Sequence, residues 1–197
     1  ALVPVNGPAC AVEEDDDPQS ARVLLVMDLE TKKPIILSGT ADYARIVQFF
    51  WLNDERIGFY KQPTRGLDAY DLWAIDIDGK NLKKLVPGKW EDGYATGASV
   101  SFLMDDDPDH VLIEYNKRRP KYTDIYKLNI YSGRLTTLAI DPVLGNNTLM
   151  GWAIDQQGNV RGYMAMDGLK YKLYHRNDVN KDFELLREFT YQEAMFM

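Results

Sequence analysis

The chain has 197 residues, of which 45% are hydrophobic and 12% aromatic, so it can bury the core of a domain. Its 23 basic and 30 acidic residues give a formal net charge of −7, and because the basic residues are scattered, nucleic acid is not expected as a partner. A single cysteine, Cys10, excludes an internal disulfide, and no apolar run approaches the roughly 20 residues that cross a bilayer, so a membrane is not expected as a partner either.

The chain begins with an acidic segment. Residues 13–17 read EEDDD and are followed by Pro18. Like-charge repulsion and the proline favour an extended, solvated conformation. We therefore predict a flexible acidic lead-in over residues 1–20 and a folded domain over residues 21–197.

From Ala21 onward the sequence shows the alternation of apolar and polar residues that is typical of β-strands, whereas no stretch sustains a helical period over three turns. One kind of predicted hairpin ends its first strand with a polar residue and then turns through polar residues. It occurs four times, at residues 23–37, 72–86, 125–138 and 172–186. The polar residues that end the first strands are Asp28, Asp76, Asn129 and Asn177, spaced by 48, 53 and 48 residues.

A second kind of hairpin lies between the copies of the first, at residues 50–59, 101–113 and 151–163. It carries Trp51, Phe102 and Trp152 at spacings of 51 and 50 residues. Four strands per roughly 50 residues is typical of a β-propeller blade, whose sheet buries its faces against neighbouring blades. A β-sandwich also has many short strands, but it does not by itself produce this period. We therefore predict an all-β fold, a β-propeller segment of about three and a half four-stranded blades from a seven- or eight-bladed ring, with these aromatic residues packed between blades.

Four segments go beyond the general pattern of a blade. They are residues 51–57 (WLNDERI), 72–79 (LWAIDIDG), 106–113 (DDPDHVLI) and 125–134 (IYKLNIYSGR). The chain resembles, over most of residues 21–190, the amino-terminal propeller of the prolyl oligopeptidase family of serine peptidases, in particular its bacterial dipeptidyl aminopeptidase and acylaminoacyl-peptidase branch. The resemblance implies a propeller that caps a C-terminal α/β-hydrolase domain and admits short peptides to it. We expect that hydrolase domain to lie outside this chain.

No residue of this chain is predicted to be catalytic. The family's peptidase domain carries a Gly-x-Ser-x-Gly nucleophile elbow, and the nearest string, residues 97–101 (GASVS), lacks the second glycine and is interpreted as the start of a strand. The two histidines, His110 and His175, are interpreted as surface or cross-strand residues. The chain alone is therefore not expected to be an enzyme, whereas the complete parent protein is expected to be a serine exopeptidase or oligopeptidase.

Two turns carry carboxylates at alternate positions, as calcium-binding loops do. In the turn at residues 105–109, the sixth position is His110 rather than Gly, and the twelfth is Asn116 rather than Glu. The turn at residues 178–182 departs in the same way, with Phe183 and Phe189 at these positions. We therefore predict solvated hairpin turns, and neither a metal nor another cofactor.

A short basic stretch lies between two predicted hairpins. It contains Lys117, Arg118 and Arg119, followed by Pro120 and Lys121. A loop of this kind can contact a peptide carboxylate or a phosphate, although it can equally be a solvated connection. Lys117, Arg118 and Arg119 are therefore the candidate ligand-facing residues.

Two functions remain open from the sequence. The first is the non-catalytic propeller portion of a serine peptidase, which gates the access of short peptides to a hydrolase domain. The alternative is a stand-alone propeller of the periplasmic type that binds a protein partner through its loops. Because an incomplete ring leaves two blade faces without neighbours, we also expect self-association of the chain. The resemblance favours an exported bacterial protein, while composition does not indicate a compartment.

Overall fold

The computed structural model describes residues 9–12, 23–39, 45–62, 68–91, 93–142 and 147–194. Regular structure within these residues consists of seventeen β-strands and one helix of four residues at the C-terminal side. The prediction of an all-β chain is confirmed. No helix within the same residues is long and apolar enough to cross a membrane.

The first sheet is antiparallel and has three strands in chain order. They are β1 (Ala9–Val12), β2 (Val23–Met27) and β3 (Pro34–Gly39). Strand β1 was not predicted: it occupies four residues of the expected lead-in and pairs with β2, with Cys10 opposite Val26. The acidic run at residues 13–17 lies outside the described residues.

Three antiparallel sheets of four strands follow, each in chain order. The second sheet contains β4 (Arg45–Asn53), β5 (Arg56–Gln62), β6 (Asp71–Asp76) and β7 (Lys83–Val86). A short hairpin that the sequence did not indicate comes next, with β8 (Lys89–Glu91) and β9 (Tyr94–Thr96). The third sheet contains β10 (Ala98–Leu103), β11 (His110–Arg119), β12 (Tyr122–Asn129) and β13 (Leu135–Ala139). The fourth sheet contains β14 (Thr148–Ile154), β15 (Val160–Asp167), β16 (Lys170–His175) and β17 (Glu184–Thr190), and the helix α1 (Tyr191–Ala194) follows it.

The recurring polar residue at the strand end organises the turn that follows it. The Asn129 side-chain oxygen accepts a hydrogen bond from the Ser132 backbone N–H at 2.7 Å, and Gly133 adopts a positive φ of 75°. Asp28 does the same in the first sheet, where its carboxylate accepts the Thr31 N–H at 2.8 Å. Asn and Asp are favoured at such positions because their short side chains bond the backbone of the turn. The regular spacing of these polar residues in the sequence therefore reflects the regular spacing of the turns between strands.

Apolar clusters join the four sheets face to face in chain order. The cluster between the first and second sheets contains Leu24, Val26, Leu37, Ile46, Ile57, Phe59 and Ile75. The cluster between the second and third sheets, called the central seam below, contains Leu52, Leu72, Ala74, Leu85, Val86, Ala98, Val111, Ile113, Tyr115, Tyr126, Leu128 and Ile130. The cluster between the third and fourth sheets contains Leu112, Ile125, Ala139 and Val160. The third sheet is thus buried on both faces, since the adjacent residues Val111 and Leu112 belong to different clusters.

The three aromatic residues of the repeat pack between sheets, as predicted. Trp51 lies against the cluster between the first and second sheets, and Phe102 and Trp152 lie against the cluster between the third and fourth. The Trp152 indole N–H also donates a hydrogen bond to the Thr123 carbonyl of the third sheet at 3.0 Å. Each of these side chains therefore contributes to the packing of successive sheets.

Candidate binding cleft

A cleft of about 590 Å³ lies at one end of the central seam, where β5 leads towards β6 and β11 leads into β12. Its walls come from β4, β5 and the segment before β6 on one side, and from β9 to β12 on the other. The residues that line it include Tyr60, Asp68, Tyr70, Gly97, Glu114 and Asn116.

On the side of the second sheet, a buried carboxylate positions the wall. Asp71 accepts a hydrogen bond from the Gly88 N–H at 2.8 Å and pairs with Lys84 Nζ at 2.6 Å. A Cβ atom on Gly88 would lie 2.5–2.6 Å from backbone atoms of Tyr70, so glycine allows this close approach. The Tyr70 hydroxyl then donates to Asp68 Oδ1 at 3.2 Å, and burial together with this carboxylate raises the pKa of Tyr70.

On the side of the third sheet, the Asn116 side chain fixes the connection between β9 and β10 by hydrogen bonds. Asn116 Oδ1 accepts the Gly97 N–H at 2.9 Å, while Asn116 Nδ2 donates to the carbonyls of Ala95 and Pro120, each at 2.9 Å. The three bonds join the β8–β9 hairpin to the turn between β11 and β12. This wall of the cleft is therefore preorganised.

Tyr60 connects the two walls. Its hydroxyl oxygen accepts the Val100 N–H at 2.8 Å, and its ring packs against Phe50 with 5.4 Å between ring centroids. Burial raises the pKa of Tyr60 and outweighs that hydrogen bond, which acts in the opposite direction. The phenol therefore keeps its proton at neutral pH, and its O–H can donate to a group in the cleft.

Glu114 belongs to the cleft lining and lies on the face of the third sheet that carries Leu112 and Ile125, opposite the central seam. It is half-buried on β11, between the cross-strand positions Ser99 and Ile125. Its side chain forms no hydrogen bond or ion pair with any other residue of the described ranges, and burial raises the pKa of its carboxyl. A carboxylate in this setting loses hydration without gaining a partner.

Lys117, Arg118 and Arg119 form the end of strand β11, so the prediction that they belong to a connection between hairpins is wrong, and they lie outside the cleft lining. Arg118 forms a bidentate pair with the buried Asp124, at 3.1 Å from Nε to Oδ2 and 3.0 Å from Nη2 to Oδ1. This pairing raises the pKa of Arg118. Arg119 lies over the Tyr122 ring at 5.8 Å, and Lys117 is exposed. A ligand contact by these three residues stays a prediction.

The other candidates from the sequence occupy ordinary positions in strands. Strand β10 begins at Ala98, so the interpretation of residues 97–101 as the start of a strand is confirmed. His110 is the cross-strand partner of Asn129, as predicted, and its Nδ1 lies 2.8 Å from Asp107. His175 lies within the antiparallel ladders of the fourth sheet.

The carboxylates of the two acidic turns are engaged by neighbouring residues. In the turn at residues 105–109, Asp107 pairs with Lys127 Nζ at 2.5 Å, and hydrogen bonds from Lys127 and His110 lower its pKa. In the other turn, Asp178 accepts the Asn180 N–H at 2.8 Å. Across the part of the chain that the structure describes, no group of three or more His, Cys, Asp or Glu residues could hold a metal ion.

Tyr60, Tyr70 and Glu114 were not indicated as candidates by the sequence. Tyr60 and Glu114 come from different sheets, and Glu114 alternates with the apolar Ile113 and Tyr115 like any polar residue of a strand. The available signal was an acidic residue in a sheet that the repeat predicts to be covered on both faces. Such a residue needs a partner or access to solvent.

No protein-family model matches the chain. Over 100 residues, or 50% of its length, the chain is 30% identical to dipeptidyl aminopeptidase BIII of Pseudoxanthomonas mexicana. The matched stretch spans 14% of that protein, so the chain corresponds to a small part of this relative.

Two solved structures share part of the arrangement of strands. An oligogalacturonate lyase in complex with manganese superposes with a TM-score of 0.48 at 15% identity, over 80% of this chain and 40% of that one. An oligogalacturonate lyase from Vibrio parahaemolyticus gives a TM-score of 0.48 at 16% identity, over 85% of this chain and 43% of that one. A likeness at this level carries no conclusion about this chain.

Proposed function

We propose that this chain is part of the β-propeller domain of a serine peptidase of the prolyl oligopeptidase family. The observation that carries the proposal is the 30% identity to a dipeptidyl aminopeptidase over 100 residues. The four segments that resemble this family in the sequence lie in the second and third sheets, on strands or the turns between them. The proposal therefore rests on sequence similarity, and the fold is its second support.

The architecture supports the propeller part of the proposal. The second, third and fourth sheets each contain four antiparallel strands in chain order, and consecutive sheets pack on each other through apolar clusters. Successive blades of a propeller follow one another in this way. The first sheet then corresponds to part of a blade, which gives about three and a half blades of a larger ring.

In this function the propeller is non-catalytic. The nucleophile and its base belong to an α/β-hydrolase domain outside the described sheets, and the propeller restricts that domain to short peptides. Exclusion of long chains protects folded proteins from hydrolysis, because only a substrate that passes the propeller reaches the nucleophile.

The test compares the 197-residue chain with the product of the complete open reading frame that encodes it. Both are assayed on chromogenic dipeptides and acyl-amino acids, with and without a covalent serine-hydrolase inhibitor. We expect the complete protein to be active and sensitive to the inhibitor, and the 197-residue chain to be inert. If both proteins are inert, the proposal is wrong, and a stand-alone module that binds a protein partner becomes the better explanation.

Gating is tested separately on the complete protein. A dipeptide substrate and casein are compared, and we expect kcat/KM for the dipeptide to be greater by at least roughly tenfold. Equal rates on both substrates would contradict a gating role while leaving the peptidase assignment intact.

A further inference from the structure

One cross-strand pair differs in chemistry between the second and third sheets. In the second sheet Arg56 lies opposite Asp76, and in the third sheet His110 lies opposite Asn129. Each pair joins the first residue of one strand to the last residue of the next. Arginine stays charged in proteins, whereas histidine as a class gains or loses a proton between about pH 5 and 8. The third sheet therefore has a titratable side chain where the second has a permanent charge.

Hydrogen bonds within the β12–β13 turn fix the orientation of the Asn129 amide. Its Oδ1 accepts the Ser132 N–H at 2.7 Å, the Ser132 hydroxyl at 2.8 Å and the Tyr131 N–H at 3.2 Å. The Nδ2 atom therefore points to the other side, where it lies 3.2 Å from Nε2 of His110. Because an amide nitrogen can only donate, Nε2 of His110 is the acceptor of this bond.

The same bonds determine where His110 carries its proton. Since Nε2 accepts, the single ring proton of the neutral imidazole is on Nδ1, which lies 2.8 Å from Asp107 Oδ1 and donates to it. A second proton has to enter at Nε2, where it would face the N–H of Asn129. Either the bond between the two side chains is then lost, or the amide rotates and its oxygen leaves Ser132.

The charged groups around His110 do not provide another partner for Nε2. Hydrogen bonds from Lys127 and His110 lower the pKa of Asp107, so this carboxylate stays ionised in mild acid and keeps its bond from Nδ1. Further charged residues lie on or next to the three turns that adjoin the ring. They are Asp105, Asp106 and Asp109 in the β10–β11 turn, Asp54 and Glu55 in the β4–β5 turn, and the Asp155–Arg161 pair at the β14–β15 turn. Within the described residues, Asn129 alone forms a hydrogen bond with Nε2.

We propose that His110 makes the β12–β13 turn sensitive to pH. At neutral pH, Nε2 accepts from Asn129 and the amide is held in the orientation that closes the turn. In mildly acidic solution Nε2 takes a proton from solvent, the bond from Asn129 is lost, and the turn opens more often. The His110 side chain is 30% exposed, so solvent reaches the ring. The proposal holds whether or not the complete protein is a peptidase.

The first measurement determines the tautomer of His110 in the 197-residue chain, by two-dimensional NMR of the ring nitrogens. The chain has two histidines, so His175→Gln leaves the signals of His110 alone. At pH 7.5 we expect a proton on Nδ1 and none on Nε2, and at pH 5 we expect both nitrogens to be protonated. A proton on Nε2 at pH 7.5, or a ring that stays neutral at pH 5, would overturn the proposal.

The second measurement follows the turn itself by amide exchange, corrected for the intrinsic effect of pH. We expect the protection of the Ser132 N–H to fall by about fivefold between pH 7.5 and pH 5, as for the loss of one neutral hydrogen bond. The Asn159 N–H is the internal control, because Asp155 accepts it at 2.8 Å. Although burial acts in the opposite direction, the hydrogen bond from Arg161 lowers the pKa of Asp155 to about 2, so this turn keeps its acceptor at pH 5.

Two variants assign the effect to the ring. His110→Gln has no titratable group at this position, and we expect Ser132 to lose no protection at pH 5, whereas His175→Gln should behave like the parent chain. An equal loss of protection in His110→Gln and the parent chain, or no loss in the parent chain, would overturn the proposal. Peptidase activity is not measured, so this result is independent of the proposed function.

Discussion

Opposite ends of the second and third sheets treat charge in opposite ways. At one end, Arg56 is fully buried and all three nitrogens of its guanidinium are engaged: Nε donates to the Ile130 carbonyl at 2.9 Å, one terminal nitrogen pairs with Asp76, and the other donates to the Asn81 carbonyl at 3.0 Å. At the other end, Glu114 belongs to the lining of the cleft, on the face of the third sheet opposite the central seam, and has no partner within the described residues.

This difference separates a charge that joins two sheets from one that forms no bond within the described residues. The Arg56 network joins the second sheet to the third, because Nε donates to Ile130 of the third sheet while a terminal nitrogen donates to Asn81 of the second. The cleft is held open by bonds that do not involve Glu114, namely those of Asn116 and Asp71.

Among the variants, Arg56→Ala is expected to have the largest effect on stability. The change removes the ion-pair partner of Asp76, which keeps its hydrogen bond from Asn81 Nδ2, and leaves the carbonyl of the buried Ile130 without its donor. We therefore expect a loss of about 3–5 kcal/mol in the free energy of unfolding, measured by urea denaturation. Arg134→Ala removes an exposed arginine and should change stability by less than about 0.5 kcal/mol. If the two variants lose the same stability, the Arg56 network does not hold the seam together.

A second variant probes the wall of the cleft. In Gly88→Ala, the new Cβ would meet the Tyr70 backbone at 2.5–2.6 Å, and we expect a loss of about 1–3 kcal/mol because the backbone must shift. Gly151→Ala is the matched control, since nothing lies within 4 Å of the position of its Cβ. A Gly88→Ala protein as stable as this control would show that the contact is not restrictive.

The strands of the repeat could be predicted from the sequence, because alternation and turn residues are local signals. Asn129, for example, marks the end of β12 through bonds to residues only a few positions ahead. The β8–β9 hairpin escaped prediction because strands of three residues, Lys89–Glu91 and Tyr94–Thr96, are too short to show alternation.

The two ends of the seam could not be predicted, because their contacts join residues distant in sequence. Arg56 reaches Ile130, and the Tyr60 hydroxyl meets the Val100 N–H. Composition alone indicated the stretch at Arg118 as basic, but it could not indicate that this stretch is the end of β11 or that Asp124 pairs with this arginine. Pairing in three dimensions decides which charges remain available.

A third variant, Asn116→Ala, tests whether the other wall is preorganised. Three hydrogen bonds are lost, in part replaced by water, and we expect a decrease of about 1–2 kcal/mol in the free energy of unfolding, measured by thermal and urea denaturation. Asn180→Ala serves as the control, because Asn180 bonds only within its own exposed turn. Amide exchange should also increase at Gly97 in the variant, and unchanged exchange there would contradict the role of Asn116 as a clamp.

The smallest expected effect is the dependence of stability on the charge of Glu114. Burial raises the pKa of this group above 4.5, so the folded state holds its proton to a higher pH than the unfolded state does. Stability therefore falls as the pH rises from about 4.5 through the raised pKa, and Glu114→Gln should be more stable than the parent chain at pH 7, by less than about 1 kcal/mol because solvent screens a half-buried group. Urea denaturation at pH 7 and at pH 4 measures this difference, which should disappear at the lower pH. A variant less stable than the parent chain at pH 7 would mean that the carboxylate has a stabilising partner, and the contrast between Glu114 and Arg56 would be lost.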